Sequence, residues 1–135
     1  MMREGWVSDD YLILFDESEV TAASKRYSLS LAGYEIVGLR NWDDFIIRDG
    51  NGDTYCVPTV PAILNMVSTF SVPDVSALQS DARFSGKIKW HVKPIVFGGD
   101  PQQQDNVAWV GHEQHVQLVK WWNDQYRAIK SHHPS

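Results

Sequence analysis

The sequence predicts an α+β domain in which a mainly antiparallel sheet packs against a long C-terminal helix and a shorter N-terminal helix. The C-terminal helix is predicted from about His112 to Lys130, where apolar residues recur at helical intervals: Val116, Val119, Trp122, Tyr126 and Ile129. A pair of short apolar segments joined by Asn51-Gly52 predicts an antiparallel hairpin. Strand-like and helix-like segments do not alternate regularly, as they would in a parallel sheet.

A strand, a helix and a second strand are predicted first along the chain. The apolar run from Tyr11 to Phe15 indicates the first strand. Asp16 followed by Glu19 is a typical capping pair, and the helical spacing of the next apolar residues predicts a helix from Glu17 to Leu29. The run from Tyr34 to Leu39 predicts the second strand.

The stretch from Trp42 to Val60 contains the sequence Asp-Gly-Asn-Gly-Asp, which resembles the start of an EF-hand calcium loop. Such a loop needs glycine at its sixth position and an acidic residue at its twelfth, where this chain has Thr54 and Val60. The flanking residues are β-branched and aromatic, and Asn51-Gly52 favours a tight turn. We therefore predict a β-hairpin here.

The second half of the chain begins with a segment, Ala62 to Ser85, that predicts a loop-rich excursion with one short helix. A strand then follows, because Ile88, Trp90 and Val92 alternate with cationic residues. Beyond a glycine-containing turn, the run from Asn106 to Val110 predicts one more short strand before the C-terminal helix.

Composition places limits on the class of protein. A chain of 135 residues with no linker-like stretch predicts a single domain, with disordered last residues around His132-His133. The net charge of −5 argues against generic nucleic-acid binding, and no apolar run has the length of a signal peptide or membrane span. The single cysteine, Cys56, lies in an apolar run and is predicted to be a buried core residue. These features together favour a reducing, cytoplasmic location.

No residue pattern supports enzyme chemistry, a cofactor or a metal. His112 and His115 are three residues apart, whereas the zinc-protease pattern places its histidines four apart. We expect His115 to be neutral and packed, since it lies on the apolar stripe of the helix. A metal-dependent hydrolase that uses these two histidines, with Asp100 or Asp105, is the alternative. No phosphate loop and no serine nucleophile motif is present.

Two features remain as candidates for partner binding. One is the cationic row on the predicted strand, formed by Lys87, Lys89, His91 and Lys93. We expect the long helix to cover the Ile88 face of the sheet and leave the row open, near Asp44 or Arg48 of the hairpin. The other is surplus aromatic surface: Trp121 lies at the edge of the helical stripe, and Trp42 and Trp109 lie at strand ends.

Two blocks of the chain, YLILFDESEV to DTYCVPTVP (Tyr11 to Pro61) and KPIVFGGDPQQQDNVAWVGHEQHVQLVKWWNDQYRAI (Lys93 to Ile129), resemble the SUKH superfamily. This family comprises bacterial relatives of the yeast cell-wall-assembly regulators called Smi/Knr proteins. The resemblance implies an α+β domain and, for bacterial members, a non-enzymatic immunity protein that neutralises a cognate toxin. Asn41-Trp42-Asp43-Asp44 stands where many members have Gly-Asp or Gly-Glu after the glycine-containing strand, and Asp44 is the closest match to that acidic position. The yeast relatives suggest an alternative, a regulatory module for a housekeeping partner.

Overall fold

The computed structural model describes residues 3–28, 31–93, 97–100 and 102–131. Its fold is the predicted α+β arrangement, with one six-stranded antiparallel sheet, a separate two-stranded ribbon and two α-helices. The sheet strands follow chain order: β1 Arg3–Val7, β2 Asp10–Leu14, β3 Glu35–Arg40, β4 Asp44–Arg48, β5 Thr54–Pro58 and β6 Ser68–Thr69. The ribbon consists of β7 Ile88–His91 and β8 Val107–Val110, and the helices are α1 Glu17–Arg26 and α2 His112–Ser131. The disorder predicted around His132-His133 lies outside the described residues.

The sequence did not predict β1. This strand pairs antiparallel with β2 across a turn in which Ser8 has a φ of 55°. Its outer edge is partly sealed, because Trp6 N donates to Gln79 O at 2.8 Å and Gln79 N donates to Trp6 O at 2.9 Å. Gly5 permits this close approach, since a Cβ there would lie 2.6 Å from the Gln79 carbonyl oxygen. β1 thus closes one edge of the sheet.

The predicted hairpin is confirmed as β4 and β5, with Arg48 paired to Thr54. Its connection has five residues, Asp49 to Asp53, and is not the two-residue turn that Asn51-Gly52 suggested. The Asp49 carboxylate fills the loop: Oδ1 accepts from Asn51 N at 2.9 Å and from Asp53 N at 3.0 Å, and Oδ2 accepts from the Tyr55 hydroxyl. This aspartate therefore sets the loop conformation, because its hydrogen bonds replace those of a shorter turn.

The main core lies on one face of the six-stranded sheet. Tyr11, Ile36, Leu39, Phe45 and Ile47 supply buried side chains from the strands. The two helices and the ribbon cover this face, with Val20 buried on α1, Val116 and Val119 on α2, and Ile88, Trp90 and Val110 on the ribbon. The apolar stripe predicted for the C-terminal helix therefore does pack on the core, although Ile129 near its end is exposed.

The opposite face of the sheet is covered, and the prediction that it would be open is wrong. Four buried residues, Leu12, Leu14, Ile46 and Cys56, form a second cluster there. Phe70, Val72 and Leu78 of the Ala62 to Ser85 excursion pack against them. The excursion contains two short 3-10 helices, Leu64–Met66 and Val75–Ala77, where one helix was predicted. We call residues 70–78 the cover, because they bury the second apolar face.

Helix α1 is shorter than predicted. It begins with the predicted capping pair, in which Asp16 N donates to Glu19 Oε1 at 3.2 Å. It ends at Arg26, because Tyr27 turns inward and Ser28 has a φ of 53°. Helix α2 begins at His112, as predicted, and ends at Ser131, one residue beyond the predicted Lys130. Within the described ranges, neither helix combines the length and the apolar character needed to cross a bilayer.

Candidate functional site

The strongest candidate site lies where the β3–β4 turn meets the ribbon. We call it the junction and define it by six residues: Trp42, Asp43, Phe84, Lys89, His91 and Trp109. The turn supplies Trp42 and Asp43, the end of the excursion supplies Phe84, and the ribbon supplies the others. Lys89 pairs directly with Trp109 across the ribbon, so both side chains lie on the same face. That face is the one opposite Ile88 and Trp90, which point into the core.

The β3–β4 turn has an unusual backbone. Asn41 and Trp42 have φ values of 50° and 62°, a region that residues with large side chains rarely adopt. Asp43 N donates to Asn41 O at 2.7 Å, which closes a three-residue turn around Trp42. The Asn41 side chain holds the turn in place, because Oδ1 accepts from Tyr11 N and Nδ2 donates to Asp10 Oδ1. Strain of this kind persists only where its surroundings enforce it, and it is typical of functional positions.

The aromatic residues of the junction form a continuous stack with one exposed end. Trp42 is only 8% exposed and stacks on Tyr11, with ring centroids 4.7 Å apart and planes 16° apart. Trp109 stacks on Phe84 at 5.2 Å and meets Trp42 edge-on at 5.3 Å. Trp109 is nevertheless 42% exposed, although contacts with Phe84 and Trp42 hold its ring. The junction therefore presents a rigid indole to solvent.

The segment before Phe84 is fixed by a carboxylate. Asp81 Oδ2 accepts from Trp6 Nε1 at 3.0 Å and from Arg83 at 2.7 Å. The hydrogen bonds from Arg83 lower the pKa of Asp81 well below its ordinary value. The Arg83 guanidinium lies 5.0 Å from the centre of the Phe84 ring, at a distance typical of cation–π contacts. An exposed cation thus flanks the aromatic stack.

Acidic and basic groups meet beside the stack. His91 Nδ1 lies 3.5 Å from Asp43 Oδ1, and the His91 ring is buried while the Asp43 side chain is half exposed. Burial raises the pKa of Asp43, and the charges of His91 and Lys89 oppose that rise. Burial and the neighbouring Asp43 charge raise the pKa of Asp44 as well. A cation brought by a partner would lower the pKa of these carboxyls and stabilise their charged form.

The structure brings four of the eight predicted partner-binding residues together at the junction: Trp42, Asp43, Lys89 and His91. Asp44 is the first residue of β4, next to the junction, and the other three lie apart. Lys87 precedes β7 and is exposed, Lys93 follows it beside Asn106, and Trp121 lies on α2 against Trp122. The junction is assembled from the turn and ribbon, which approach each other only in the folded chain.

The prediction that the cationic row forms one open face is wrong. His91 is buried against Asp43, because the turn packs on this face of the ribbon. Val92 is 52% exposed, since β7 ends at His91 and the alternation stops there. Arg48, which was expected beside the row, forms ion pairs with Glu17 of α1 and Glu35 of β3. Among the three lysines of the row, Lys89 is the one whose charge acts on Asp43 of the β3–β4 turn.

Sequence reasoning named Trp109 as surplus aromatic surface but did not place it beside the cationic row, and it did not identify Phe84. The alternation of Val107-Ala108-Trp109-Val110 carried a signal, since Trp109 cannot share a face with Val110. Phe84 had no such signal, because it lies in a segment without periodicity.

His115 occupies a separate position in the core, as predicted. Its ring is fully buried, and its Nδ1 lies 2.6 Å from the Tyr27 hydroxyl. Burial lowers the pKa of His115 to about 3, so the imidazole is neutral. His112 lines a cleft of about 190 Å³ between the two helices. In the part of the chain that the structure describes, no three His, Cys, Asp or Glu side chains are grouped to hold a metal ion.

Comparison of the chain with models of protein families, with curated proteins and with solved structures finds no significant match.

Proposed function

We propose that this chain is a non-enzymatic protein-binding domain and, more specifically, an immunity protein that neutralises a cognate bacterial toxin in the cytoplasm. The observation that carries the binding role is the exposed but rigid Trp109 indole at the junction. The resemblance of two long blocks to the SUKH superfamily supports the immunity role. The single buried cysteine supports action in a reducing compartment.

An exposed indole whose ring is already held in place is well suited to anchor a protein interface. Tryptophan is enriched among the few interface residues that contribute most of the binding free energy. Trp109 loses little conformational freedom on binding, because Phe84 and Trp42 already hold its ring in the free protein. The strained β3–β4 turn contributes to this rigidity, since it places Trp42 under the edge of the Trp109 ring.

The charges around Trp109 suit the rim of an interface. Lys89 is the cross-strand neighbour of Trp109 and its charge acts on Asp43, while Arg83 lies over the Phe84 ring that stacks on Trp109. Mixed charges at a rim chiefly set the association rate and the choice of partner. The net charge of −5 favours approach by a basic partner.

Co-expression with the toxin encoded beside its gene tests the function. We expect the wild-type chain to restore growth of cells that produce this toxin, and purified protein to bind it. Trp109→Ala should weaken binding by roughly 30-fold or more, as expected for an interface anchor worth at least 2 kcal/mol. Trp121→Ala is the matched control, because Trp121 is a more exposed indole distant from the junction. Equal losses in both variants would contradict the assignment of the junction.

A charge reversal provides a second comparison within the same row. Lys89→Glu places a negative charge beside Asp43, whereas Lys87→Glu changes an exposed residue before the strand. We expect the first variant to slow association more than the second, with a difference that shrinks at high salt. Binding to a housekeeping protein without protection from the toxin would replace the immunity role by the regulatory one.

A further inference from the structure

The outer edge of β8 has hydrogen-bonding groups that point away from the ribbon. Val92 N donates to Asn106 O at 2.8 Å, so these two residues form a hydrogen-bonded pair. Pairs two and four positions along the ladder are of the same type, and these are Trp90–Ala108 and Ile88–Val110. In an antiparallel ladder such hydrogen-bonded pairs alternate with pairs whose backbone groups face outward. Val107 and Trp109 therefore direct their N–H and C=O groups to the free side of β8.

This edge lacks the features that usually protect a sheet edge. Among the described residues, no strand pairs with the free side of β8. By contrast, β1 is bonded to Gln79, β6 has two residues, and the free side of β7 carries Lys89. The sequence Val107-Ala108-Trp109-Val110 has no charge, no proline and a strong preference for strand structure. Such an edge is suited to pair with another strand.

We propose that a second copy of this chain pairs with this edge, with the two β8 strands antiparallel about a twofold axis at Ala108. In this register Val107 of each copy faces Trp109 of the other. The N–H and C=O groups of all four residues then find partners, which gives four hydrogen bonds. Centring the axis on Val107 or on Trp109 would leave one outward residue of each copy without a partner in β8. The inference rests on the ribbon geometry and does not depend on the proposed toxin.

The side chains fit the same register. Each Val107 would lie beside the indole of the opposite copy, and aromatic residues paired with β-branched ones stabilise antiparallel strands. Ala108 is small, so the two copies can approach at the axis without a collision between these side chains. No like charges within β8 meet across the axis, because the strand is uncharged. The result is a symmetric four-stranded sheet, β7-β8-β8-β7, of the isologous kind common in homodimers.

A cysteine at the axis tests the register directly. Ala108 of one copy would face Ala108 of the other in a non-hydrogen-bonded pair, where Cα atoms are about 4.5 Å apart, within reach of a disulfide. We expect Ala108→Cys to form a covalent dimer rapidly under mild oxidation. Ala77→Cys is the matched control, because Ala77 is exposed and lies in the cover, on the face of the six-stranded sheet opposite the ribbon. Wild-type protein gives the baseline, since Cys56 is buried.

Sedimentation velocity over a wide range of protein concentration tests the association without a cross-link. We expect the wild type to form dimers as concentration rises, and Trp109→Lys to shift strongly towards the monomer because it places two cations near the axis. Trp121→Lys should sediment like the wild type. Val107→Lys is a second edge variant in case Trp109→Lys unfolds, and circular dichroism checks the fold of each. Monomeric wild type at every concentration, or cross-linking no faster in Ala108→Cys than in Ala77→Cys, would overturn the proposal.

Discussion

The Tyr27 hydroxyl lies 2.6 Å from His115 Nδ1 and joins the end of α1 to the first turns of α2, although the two residues are 88 positions apart. Both side chains are buried, and the Tyr27 ring also packs edge-on against Phe45 of the sheet. Because burial lowers the pKa of His115 to about 3, the neutral imidazole offers one ring nitrogen as an acceptor. This hydrogen bond is the most buried side-chain link between the two helices of the described chain.

Tyr27→Phe should destabilise the fold by about 1–3 kcal/mol, because it leaves a buried histidine nitrogen without its partner while it preserves the ring packing. Urea unfolding followed by circular dichroism measures the change. Tyr34→Phe is the matched control, since the Tyr34 ring packs on Tyr55 in a similar edge-on geometry at a half-buried position. Equal losses of stability in the two variants would show that the Tyr27 hydroxyl contributes no more than the hydroxyl of a half-buried tyrosine.

His115 should make stability depend on pH in the acidic range. The unfolded chain binds a proton at His115 near the ordinary pKa of 6.5, whereas burial lowers the folded-state pKa to about 3. Below about pH 6.5 the unfolded state therefore holds the extra proton, and stability falls as the pH falls towards about 3. As the pH falls through this range, we expect the free energy of unfolding to drop more steeply for the wild type than for His115→Gln. The difference in slope should reach about 1.4 kcal/mol per pH unit. His112→Gln is the control, and identical profiles for wild type and His115→Gln would contradict the prediction.

Gly38 should tolerate no side chain. It lies where the register between β3 and β4 shifts, and a Cβ there would collide with the Ile13 carbonyl oxygen of β2. Because backbone atoms of a central strand cannot move freely, Gly38→Ala should cost about 1–3 kcal/mol or more. Gly50→Ala should change stability by less than about 0.5 kcal/mol, since a Cβ there meets nothing within 4 Å. Thermal unfolding of both variants measures the difference.

Asn41 allows backbone strain to be separated from hydrogen bonding. Asn41→Ala and Asn41→Gly both remove the side chain that binds Tyr11 N and Asp10. Alanine retains the free-energy cost of a φ of 50°, whereas glycine adopts this conformation without strain. Asn41→Gly should therefore be more stable than Asn41→Ala by about 1 kcal/mol. Chemical denaturation of the pair gives this difference. An alanine variant as stable as the glycine variant would mean that the turn relaxes.

Much of the fold follows from local signals in the sequence. The capping pair Asp16 and Glu19 marked the start of α1, and the spacing from Val116 to Tyr126 marked α2, because periodic burial repeats over several turns. The first strand, β1, had no such signal. Its five residues, Arg3 to Val7, include a glycine whose role depends on Gln79, which lies far away in the chain.

The junction was predicted only in part, because it depends on long-range packing. Alternation placed Lys89 and His91 together on the cationic face of the predicted strand, and the structure keeps both there. It could not show that the β3–β4 turn would cover His91, since Trp42 reaches the ribbon through a conformation with positive φ. The alternation for Val92 failed because β7 ends at His91, and Val92 is exposed although its N–H still donates to Asn106 O.

The cover gives Cys56 a use beyond packing. This thiol is buried beneath residues 70–78, and burial raises its pKa to about 11, so it reacts slowly while the segment stays in place. If the cover detaches as a unit before the sheet unfolds, a thiol reagent would label Cys56 at a rate set by that opening. The chain therefore contains its own kinetic probe of a partly open state, readable by mass spectrometry without any added label site.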